Sequence, residues 1–326
     1  MKSEILRLLK ESDDYISGQQ MCDRFHVSRT AVWKAIEQLK KEGYEIEAVR
    51  NRGYRLLESP DIMSEAEIRS LMDTEWAGKN IVYFDEIDST NNRAKELGEK
   101  DGAHGTLFVA DRQVAGKGRR GRVWESPKGI SIYMTILLRP DLIPTKAPML
   151  TLVMAQSVAE GIREVTGMET GIKWPNDIVM NKKKVCGILT EMSTEIDYIN
   201  YVVIGVGINV NQKVFDEELK EKATSLMIET GASVKRSTLI AAVMKHFEKN
   251  YALFMENGDL SGLQESYNEM LVNRGKEVRI LEPGNEYNAH AYGINETGEL
   301  IVRTQKGEEK HIFAGEVSVR GIYGYV

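Results

Sequence analysis

The hydrophobic positions near the start of the chain recur at helical spacing. Residues 5–9 supply the apolar face of a short first helix. Ser17 and Gln20 match a capping box, which predicts the start of a second helix. Ser28 can cap a third helix, in which the apolar residues between 32 and 39 form one buried stripe. The pattern therefore predicts three short amphipathic helices.

A loosely alternating segment, residues 44–57 with a turn at 51–53, follows the third helix. This alternation predicts a two-stranded wing. A helix, a turn and a second helix form the arrangement that brings side chains to base edges in a DNA major groove. We therefore predict a winged helix-turn-helix domain over residues 1–60. Residues 58–64, which contain Pro60, predict a linker.

Strand-like apolar runs alternate with helical patterns between residues 65 and 270. Strands are predicted over 81–87, 105–110, 130–138 and 201–210, and helices near 92–98 and within 147–166. A polar run at 181–184 predicts the turn between two further strands. Such alternation predicts a mixed α/β domain in which helices cover a sheet.

Residues 271–326 have a different character, with short strands interrupted by glycines. These glycines are Gly284, Gly293, Gly298, Gly307 and Gly315. The pattern predicts a small all-β barrel. The predicted fold class is therefore α+β with three domains.

Composition and charge narrow the classes of function. The chain has 326 residues, of which 42% are hydrophobic and 28% charged, as in ordinary globular proteins. A net charge of −6 excludes a protein coated with nucleic acid, yet residues 24–55 carry eight Lys or Arg against four Glu. No apolar run approaches the roughly 18 residues that cross a bilayer, and residues 1–10 do not match a signal peptide, so we expect a cytoplasmic protein without a membrane partner. Cys22 and Cys186 fall in different domains and are not expected to pair.

Basic and hydroxyl side chains cluster at the start of the third helix and on the wing. Ser28, Arg29, Thr30 and Lys34 would reach base edges, and Arg50, Arg52 and Arg55 would contact phosphates. The alternative is a packing module whose charges are only solvated. Trp33 fits either a core position or a DNA contact. The three arginines of the wing favour DNA binding.

The segment GKGRRGR, residues 116–122 and hereafter the basic loop, formally matches the GxGxxG pattern. A dinucleotide site needs a helix directly after that pattern, whereas Pro127, Gly129 and a strand-like run follow here. The HRD, DFG and VAIK elements of a kinase do not occur. A loop with four cations and three glycines remains, in which backbone amides can approach an anion. A solvated surface loop is the alternative.

Three further motifs carry polar side chains. Residues 88–91, the DSTN turn, lie between a predicted strand and a predicted helix, where they can bind a small ligand or cap the helix. Residues 173–177, the KWPND segment, combine a cation, an aromatic ring, a proline and two oxygen ligands, which suits a nucleotide with magnesium better than a core strand. Lys184 adds a cation beside a predicted strand.

Residues 116–124, 88–91, 173–177 and 184–187 together resemble the biotin protein ligases. With the N-terminal helices, the chain resembles the bifunctional members, which also repress the biotin operon. The resemblance covers essentially the whole chain. It implies a class II synthetase-like catalytic domain and an SH3-like β-barrel ending in Gly315 to Arg320. Lys117 departs from the arginine usual in the family loop, and lysine lacks the planar fork of arginine.

The resemblance implies the activity of a biotin-[acetyl-CoA-carboxylase] ligase. Biotin and ATP give biotinyl-5′-adenylate, and biotin is then transferred to a lysine of the carrier domain of acetyl-CoA carboxylase or a related carboxylase. The chemistry requires fixed cations and oriented amides rather than a covalent nucleophile. The resemblance also implies Mg²⁺ as a cofactor, operator DNA as a partner, biotinyl-adenylate as co-repressor, and a homodimer.

Residue roles carry over from the family by motif. Arg119 and Lys184 are the implied catalytic residues. The implied biotin contacts are Ser89, Thr90, Asn91, Gln113, Gly116, Lys117, Gly118, Arg119, Arg120, Lys184 and Gly187. The implied adenylate contacts are Arg122, Trp124, Lys173, Asn176, Asp177 and Asn209, with Asp177 also a ligand of Mg²⁺. A lipoate-type ligase and a transcription factor that senses a small acid without converting it are the alternatives.

Overall fold

The computed structural model describes residues 1–282, 284–313, 318–321 and 325. Gly315, Glu316 and Val317 of the expected C-terminal motif lie outside the described residues. Cys22 and Cys186 are both buried and unpaired, as the sequence predicts. Within the described ranges, no helix combines the length and apolarity that a bilayer crossing requires.

Three helices and a two-stranded wing form the first domain. They are α1 (Lys2–Lys10), α2 (Gly18–Phe25), α3 (Arg29–Lys41), β1 (Glu45–Val49) and β2 (Gly53–Glu58). The Ser17 hydroxyl accepts from the Gln20 backbone amide, and the Gln20 side chain accepts from the Ser17 amide, so the predicted capping box is confirmed. Ser28 caps α3 as predicted. The wing is confirmed as an antiparallel pair.

A seven-stranded sheet and its covering helices form the central domain. The helices are α4 (Glu65–Leu71), α5 (Thr90–Gly98), α6 (Met149–Thr166), α7 (Leu226–Thr230), α8 (Arg236–Asn257) and α9 (Gln264–Met270). The strands are β3 (Ile81–Phe84), β4 (Thr106–Ala110), β5 (Ser131–Leu138), β6 (Gly171–Lys173), β7 (Asp177–Met180), β8 (Lys183–Thr194) and β9 (Ile199–Asn209). Their order is β3-β4-β5-β9-β8-β7-β6, and only the β3–β4 pair is parallel.

The covering helices bury opposite faces of this sheet. Helices α6 and α8 pack together, with Val153, Val158, Val243 and Phe247 fully buried in the main core. Helix α5 covers a smaller apolar cluster on the other side, centred on Phe108. Burying each of these side chains stabilises the fold by roughly 1.5–3 kcal/mol.

The first strand of the sheet is shorter than predicted. Strand β3 ends at Phe84, so the prediction that it continues to Ile87 is wrong. Asp85 and Glu86 are exposed after that point. Ile87 instead makes a single bridge to Gln113. That bridge places the DSTN turn beside the segment that leads into the basic loop.

The C-terminal strands form a five-stranded antiparallel sheet. They are β10 (Lys276–Glu282), β11 (Asn285–Ile294), β12 (Leu300–Thr304), β13 (Glu309–Ile312) and β14 (Ser318–Gly321). Their order is β13-β12-β11-β10-β14, and within the described strands no pairing joins the two edges into a closed barrel. Val278, Ile280 and Ala291 belong to the same core as the central domain. The C-terminal sheet is therefore packed on the central domain.

The first domain is held against the central domain through a buried carboxylate on α4. Glu67 is 3% exposed and pairs with Lys10 Nζ at 2.5 Å. The Tyr44 hydroxyl donates to the other oxygen of Glu67. Arg7 on α1 donates to the Met72 carbonyl at 2.7 Å. These contacts run from α1 and the start of the wing to α4.

The linker, residues 58–64, is held by a second buried network. Arg236 is 3% exposed, and its guanidinium lies 2.9 Å from Asp61 Oδ2 and 2.7 Å from Asp111 Oδ1. Asp61 also accepts from Asn211 Nδ2 at 3.1 Å. Asp111 follows β4, and Asn211 follows β9 by two positions. Arg236 therefore ties the linker to the end of β4, and Asn211 ties it to the end of β9.

Candidate active site

Two adjacent chambers open beside the basic loop. The smaller has a volume of about 480 Å³ and the larger about 1940 Å³. The residues that line both chambers, hereafter the neck, are Gly118, Arg119, Trp124, Asn176 and Lys184. The sequence motifs from three separate segments thus meet in one place.

Most residues predicted to bind a ligand line one of the two chambers. The smaller chamber is lined by Ser89, Thr90, Asn91, Gln113, Lys117, Gly118, Arg119, Lys184 and Gly187. The larger chamber is lined by Arg120, Arg122, Trp124, Asn176, Asp177 and Asn209. Gly116 and Lys173 line neither.

Polar side chains in one wall of the smaller chamber are fixed by one another. The amide and hydroxyl of Thr90 donate to Gln113 Oε1 at 2.8 and 3.0 Å. Asn91 donates to Glu191 Oε2 at 2.8 Å and accepts from Thr135 Oγ1 at 2.6 Å. These bonds set the orientation of both side-chain amides before any ligand arrives. Ser89 stands at the N-cap of α5, yet its side chain does not cap the helix.

The electrostatics of this wall are set by Glu191. Burial opposes its ionisation, but hydrogen bonds from Lys95 and Asn91 outweigh burial and lower the pKa of Glu191. The positive charge of Lys117 acts in the same direction. The wall therefore keeps a fixed negative charge that holds Asn91 in place.

Three glycines make room for the chambers, and sequence reasoning missed two of them. A Cβ at Gly205 would lie 2.2 Å from Asn91 Oδ1, and one at Gly207 would lie 2.7 Å from the Trp124 ring. A Cβ at Gly187 would lie 2.8 Å from Lys184 Nζ. Gly205 and Gly207 belong to the strand motif GVG, and glycine inside a strand is a signal of close approach. That signal could have identified the floor of the site.

The basic loop is a small hairpin. The Gly118 amide donates to the Arg122 carbonyl at 2.7 Å, and the Trp124 amide donates to the Gly116 carbonyl at 3.0 Å. A Cβ at Gly116 would lie 2.4 Å from the Trp124 carbonyl oxygen. Gly116 therefore serves the hairpin itself, while the side chain of Arg119 reaches the neck.

Arg119 is the most desolvated cation of the basic loop. Its guanidinium donates to Asn176 Oδ1 at 3.0 Å, and Asn176 in turn donates to the Ile188 carbonyl at 3.0 Å. Burial lowers the pKa of Arg119, while the nearby Asp177 carboxylate opposes that shift. Because an arginine starts from so high a pKa, it stays protonated. The neck thus holds a permanent, directed positive charge.

Lys184, a residue of the neck, contacts Asp177 in the wall of the larger chamber. Lys184 Nζ lies 2.5 Å from Asp177 Oδ1 and 5.1 Å from the centroid of the Trp124 ring. Trp124 Nε1 is buried and has no hydrogen-bond partner among the described residues, whereas Asp177 Oδ1 is paired with the Lys184 ammonium. A buried donor left unsatisfied at a cavity is a site at which a ligand gains affinity.

The KWPND segment is divided between core and site. Trp174 is 1% exposed and donates from Nε1 to the Gly298 carbonyl at 3.1 Å, so the expectation that this aromatic ring serves a nucleotide is wrong. Lys173 is 5% exposed, and its ammonium lies on the ring of Tyr325. Asn176 and Asp177 face the chambers. The segment 212–223 and Tyr325 also line the larger chamber without any signal in the sequence.

The site offers few oxygen donors for magnesium. No group of three His, Cys, Asp or Glu able to hold a metal occurs in the described part of the chain. Mg²⁺ is usually held by one or two carboxylates, with waters and substrate phosphates completing the octahedron. The carboxylate of Asp177, which faces the larger chamber, fits such a site. The residues therefore fit magnesium that arrives with a nucleotide.

Helix α3 presents the predicted DNA-reading residues to solvent. Arg29, Thr30 and Lys34 are exposed, and Ser28 accepts from the Ala31 amide at 3.2 Å as a helix cap. Trp33 is 54% exposed, which excludes the core reading of this residue.

The three arginines of the wing differ in their surroundings. Arg50 is exposed. The Arg52 guanidinium lies 4.2 Å from the centroid of the Tyr15 ring. Arg55 lies 3.2 Å from Glu47 Oε2. A carboxylate already compensates the charge of Arg55, so its attraction for a phosphate is weaker than that of Arg50.

Comparisons with known proteins match this architecture. Family models match in chain order: an HTH domain over residues 2–55, the biotin/lipoate A/B protein ligase family over 83–209, and the biotin protein ligase C terminal domain over 275–320. The bifunctional ligase/repressor BirA of Bacillus spizizenii is 43% identical over 98% of each chain. The corresponding Escherichia coli protein is 29% identical over 96% of this chain and 95% of that protein.

A solved structure supports the same assignment. The biotin protein ligase of Aquifex aeolicus in complex with biotin and ATP is 34% identical to this chain, with a TM-score of 0.66. The match covers 74% of this chain and 99% of the Aquifex aeolicus chain. The predicted fold class, a winged helix-turn-helix, a synthetase-like α/β domain and an SH3-like β domain, is confirmed. With identity to a ligase and repressor along nearly its whole length, the chain belongs to the family of bifunctional biotin protein ligases and biotin operon repressors.

Proposed function

We propose that the two chambers carry out the two-step ligation of biotin to a carrier lysine, and that the first domain represses transcription from an operator. The carrying observation is the neck, where a desolvated arginine and a lysine stand between a small polar pocket and a nucleotide-sized one. Two anionic substrates have to meet at that point. Fixed cations lower the repulsion between them.

The smaller chamber accounts for biotin. Its preoriented wall of Thr90, Asn91 and Gln113, with the Ser89 hydroxyl, offers donors and acceptors for the ring and tail. The carboxylate then reaches Arg119 and Lys184 at the neck. The ATP phosphates lie in the larger chamber with Arg120 and Arg122, and Trp124 Nε1 donates to the adenylate.

The residues present support both bond-forming steps. In the first, a carboxylate oxygen of biotin attacks the α-phosphorus of ATP, and the bond to pyrophosphate breaks. Arg119 and Lys184 hold the two anions in line and neutralise the developing charge. In the second, the amine of the carrier lysine attacks the acyl carbon, an amide forms and AMP leaves. The basic loop shields the mixed anhydride from water between these steps.

Asp177 is the proposed ligand for Mg²⁺. When bound, the metal supplies charge neutralisation on the phosphates. Asp177 Oδ1 offers the carboxylate oxygen, and Lys184 beside it limits the net charge of the site.

Transfer of biotin to a carrier domain is a direct test. Incubation with ATP, biotin and a carrier domain of a biotin-dependent carboxylase should add one biotin-sized mass to a single carrier lysine. If lipoate replaced biotin equally well in the same reaction, the lipoate-type reading would be correct. If no mass were added although the chain bound biotin, the chain would be a sensor without turnover.

A homodimer is the proposed repressing form. Met192 on β8 is 46% exposed, and Ile196 and Tyr198, at the turn between β8 and β9, are 93% and 56% exposed. A second copy of the chain that covered these three side chains would remove their apolar surface from water. A dimer carries two recognition helices for two operator half-sites. Biotinyl-adenylate would strengthen repression if it ordered loops at the dimer surface.

Trp33 provides the prediction for the DNA interface. Trp33→Ala should weaken operator binding roughly 10- to 100-fold. The reason is that Trp33 is an exposed indole on α3, the recognition helix, where it can contact thymine methyl groups in the major groove. The measurement is operator affinity with saturating biotin and ATP. Leu57→Ala, at a 49% exposed apolar residue of β2, is the matched control. Equal affinity of Trp33→Ala and the native chain would remove Trp33 from the interface.

A further inference from the structure

Tyr325, one residue from the end of the chain, reaches the larger chamber. Its hydroxyl donates to Asp177 Oδ2. The Nζ of Lys173 lies 3.3 Å from the centroid of its ring. Tyr325 is half-buried and is among the residues that line the chamber. One side chain from the C-terminus thus contacts both ends of the KWPND segment.

The two carboxylate oxygens of Asp177 have different partners. Oδ2 accepts from the Tyr325 hydroxyl, and Oδ1 is paired with the Lys184 ammonium at 2.5 Å. A hydrogen bond to one oxygen fixes the plane of a carboxylate and hence the direction of the other. Tyr325 and Lys184 therefore hold the carboxylate by its two oxygens and fix the direction in which it faces a magnesium nucleotide.

The contact with Lys173 supports the same segment from its other end. Lys173 is 5% exposed, so its ammonium has lost most of its water. The face of an aromatic ring partly replaces that hydration for a cation. Tyr325 thereby holds the start of the segment while it orients the end.

We propose that Tyr325 is a positioning residue for the adenylation step, an inference that rests on the proposed ligase function. It acts through Asp177 and Lys173 on the binding of magnesium and ATP. Tyr325 lines only the larger chamber, so the binding of biotin does not depend on it.

Two substitutions separate the hydroxyl from the ring. Tyr325→Phe removes the hydrogen bond to Asp177 and keeps the ring over Lys173, whereas Tyr325→Leu removes both. Tyr325→Phe should raise the KM for ATP about 10-fold, as expected for a lost hydrogen bond to a charged group, and leave the KM for biotin unchanged. Tyr325→Leu should raise the KM for ATP further. Both should also need more Mg²⁺ for half-maximal rate.

Release of pyrophosphate from the full-length chain is the measurement, at varied ATP, biotin and Mg²⁺. Tyr292→Phe, which removes the hydroxyl of a 45% exposed tyrosine on β11, is the matched control and should behave as the native chain. An unchanged KM for ATP in Tyr325→Phe, or an equal rise in both KM values, overturns the proposal. If the native chain itself released no pyrophosphate, the ligase function would fail instead, so the two failures are distinguishable.

Discussion

Arg236→Met is expected to lower the free energy of unfolding by roughly 3–5 kcal/mol, the range for breaking a buried ion pair. Arg236 stands between Asp61 and Asp111, whose side chains are 29% and 11% exposed. Methionine fills similar space but leaves two neighbouring carboxylates without a cation. Urea unfolding followed by tryptophan fluorescence measures the loss.

The control for this substitution is an exposed pair. Arg69→Met breaks the 2.9 Å contact of Arg69 with Glu65, whose side chains are 42% and 57% exposed. Such pairs are worth roughly 0.2–1 kcal/mol, so this variant should unfold almost as the native chain does. Equal stability of Arg236→Met and Arg69→Met would show that the buried network contributes nothing to the fold.

Arg119→Ala is expected to raise the dissociation constants of biotin and of biotinyl-adenylate roughly 10- to 100-fold. The guanidinium at the neck is desolvated and directed by Asn176, and alanine leaves the ligand carboxylate and phosphate without that donor. The adenylate should also escape sooner, because the loop has lost its contact with the reactive group. Equilibrium binding and the rate of adenylate release into solution are the measurements.

Two companion variants make this result specific. Arg119→Lys keeps the charge without the planar fork and should fall between alanine and the native residue. Arg112→Ala removes an exposed arginine close in sequence, paired with Glu86 at 2.7 Å outside both chambers, and should change neither constant. Native values for Arg119→Ala would return the basic loop to an ordinary surface feature.

Local signals in the sequence predicted the elements that depend on neighbouring residues. The capping box at Ser17, the cap at Ser28 and the turn at 51–53 are each decided within a few positions, and all are present in the structure. The wing and the strand hairpin around 181–184 follow the same rule. The residues that determine such elements lie within them or a few positions away in the sequence.

Elements that depend on tertiary packing were harder to predict. Helix α8, which spans Arg236–Asn257, has no counterpart among the predicted elements. Its buried residues are spread around much of its circumference, because it packs against α6, α4 and β5. A helix buried on several sides shows little amphipathic contrast. Strand β3 was overestimated for a related reason, since the apolar Ile87 is buried outside the sheet.

The chemistry of the site was predictable where it resides in motifs. The basic loop, the DSTN turn and the end of the KWPND segment do meet around the chambers. Trp174 was misassigned because a tryptophan beside charged residues resembles a ligand contact, while its true partner, Gly298, is remote in the chain. Tyr325 contacts Asp177 across 148 positions, and no local pattern reports such a contact.

The anchored linker has a consequence for the geometry of an operator. Asp61 is fixed by Arg236 and Asn211, so the recognition helix is mounted on the catalytic domain instead of swinging on a tether. In a dimer of such subunits, the distance between the two copies of the recognition helix α3 is fixed. That distance sets the spacing of the operator half-sites that both helices can contact together. A DNA duplex makes one turn in about 10–10.5 base pairs. Inserting half a turn of DNA between two half-sites therefore places one of them on the opposite face of the duplex. The protein would then select operators by the spacing of their half-sites as well as by their base sequence.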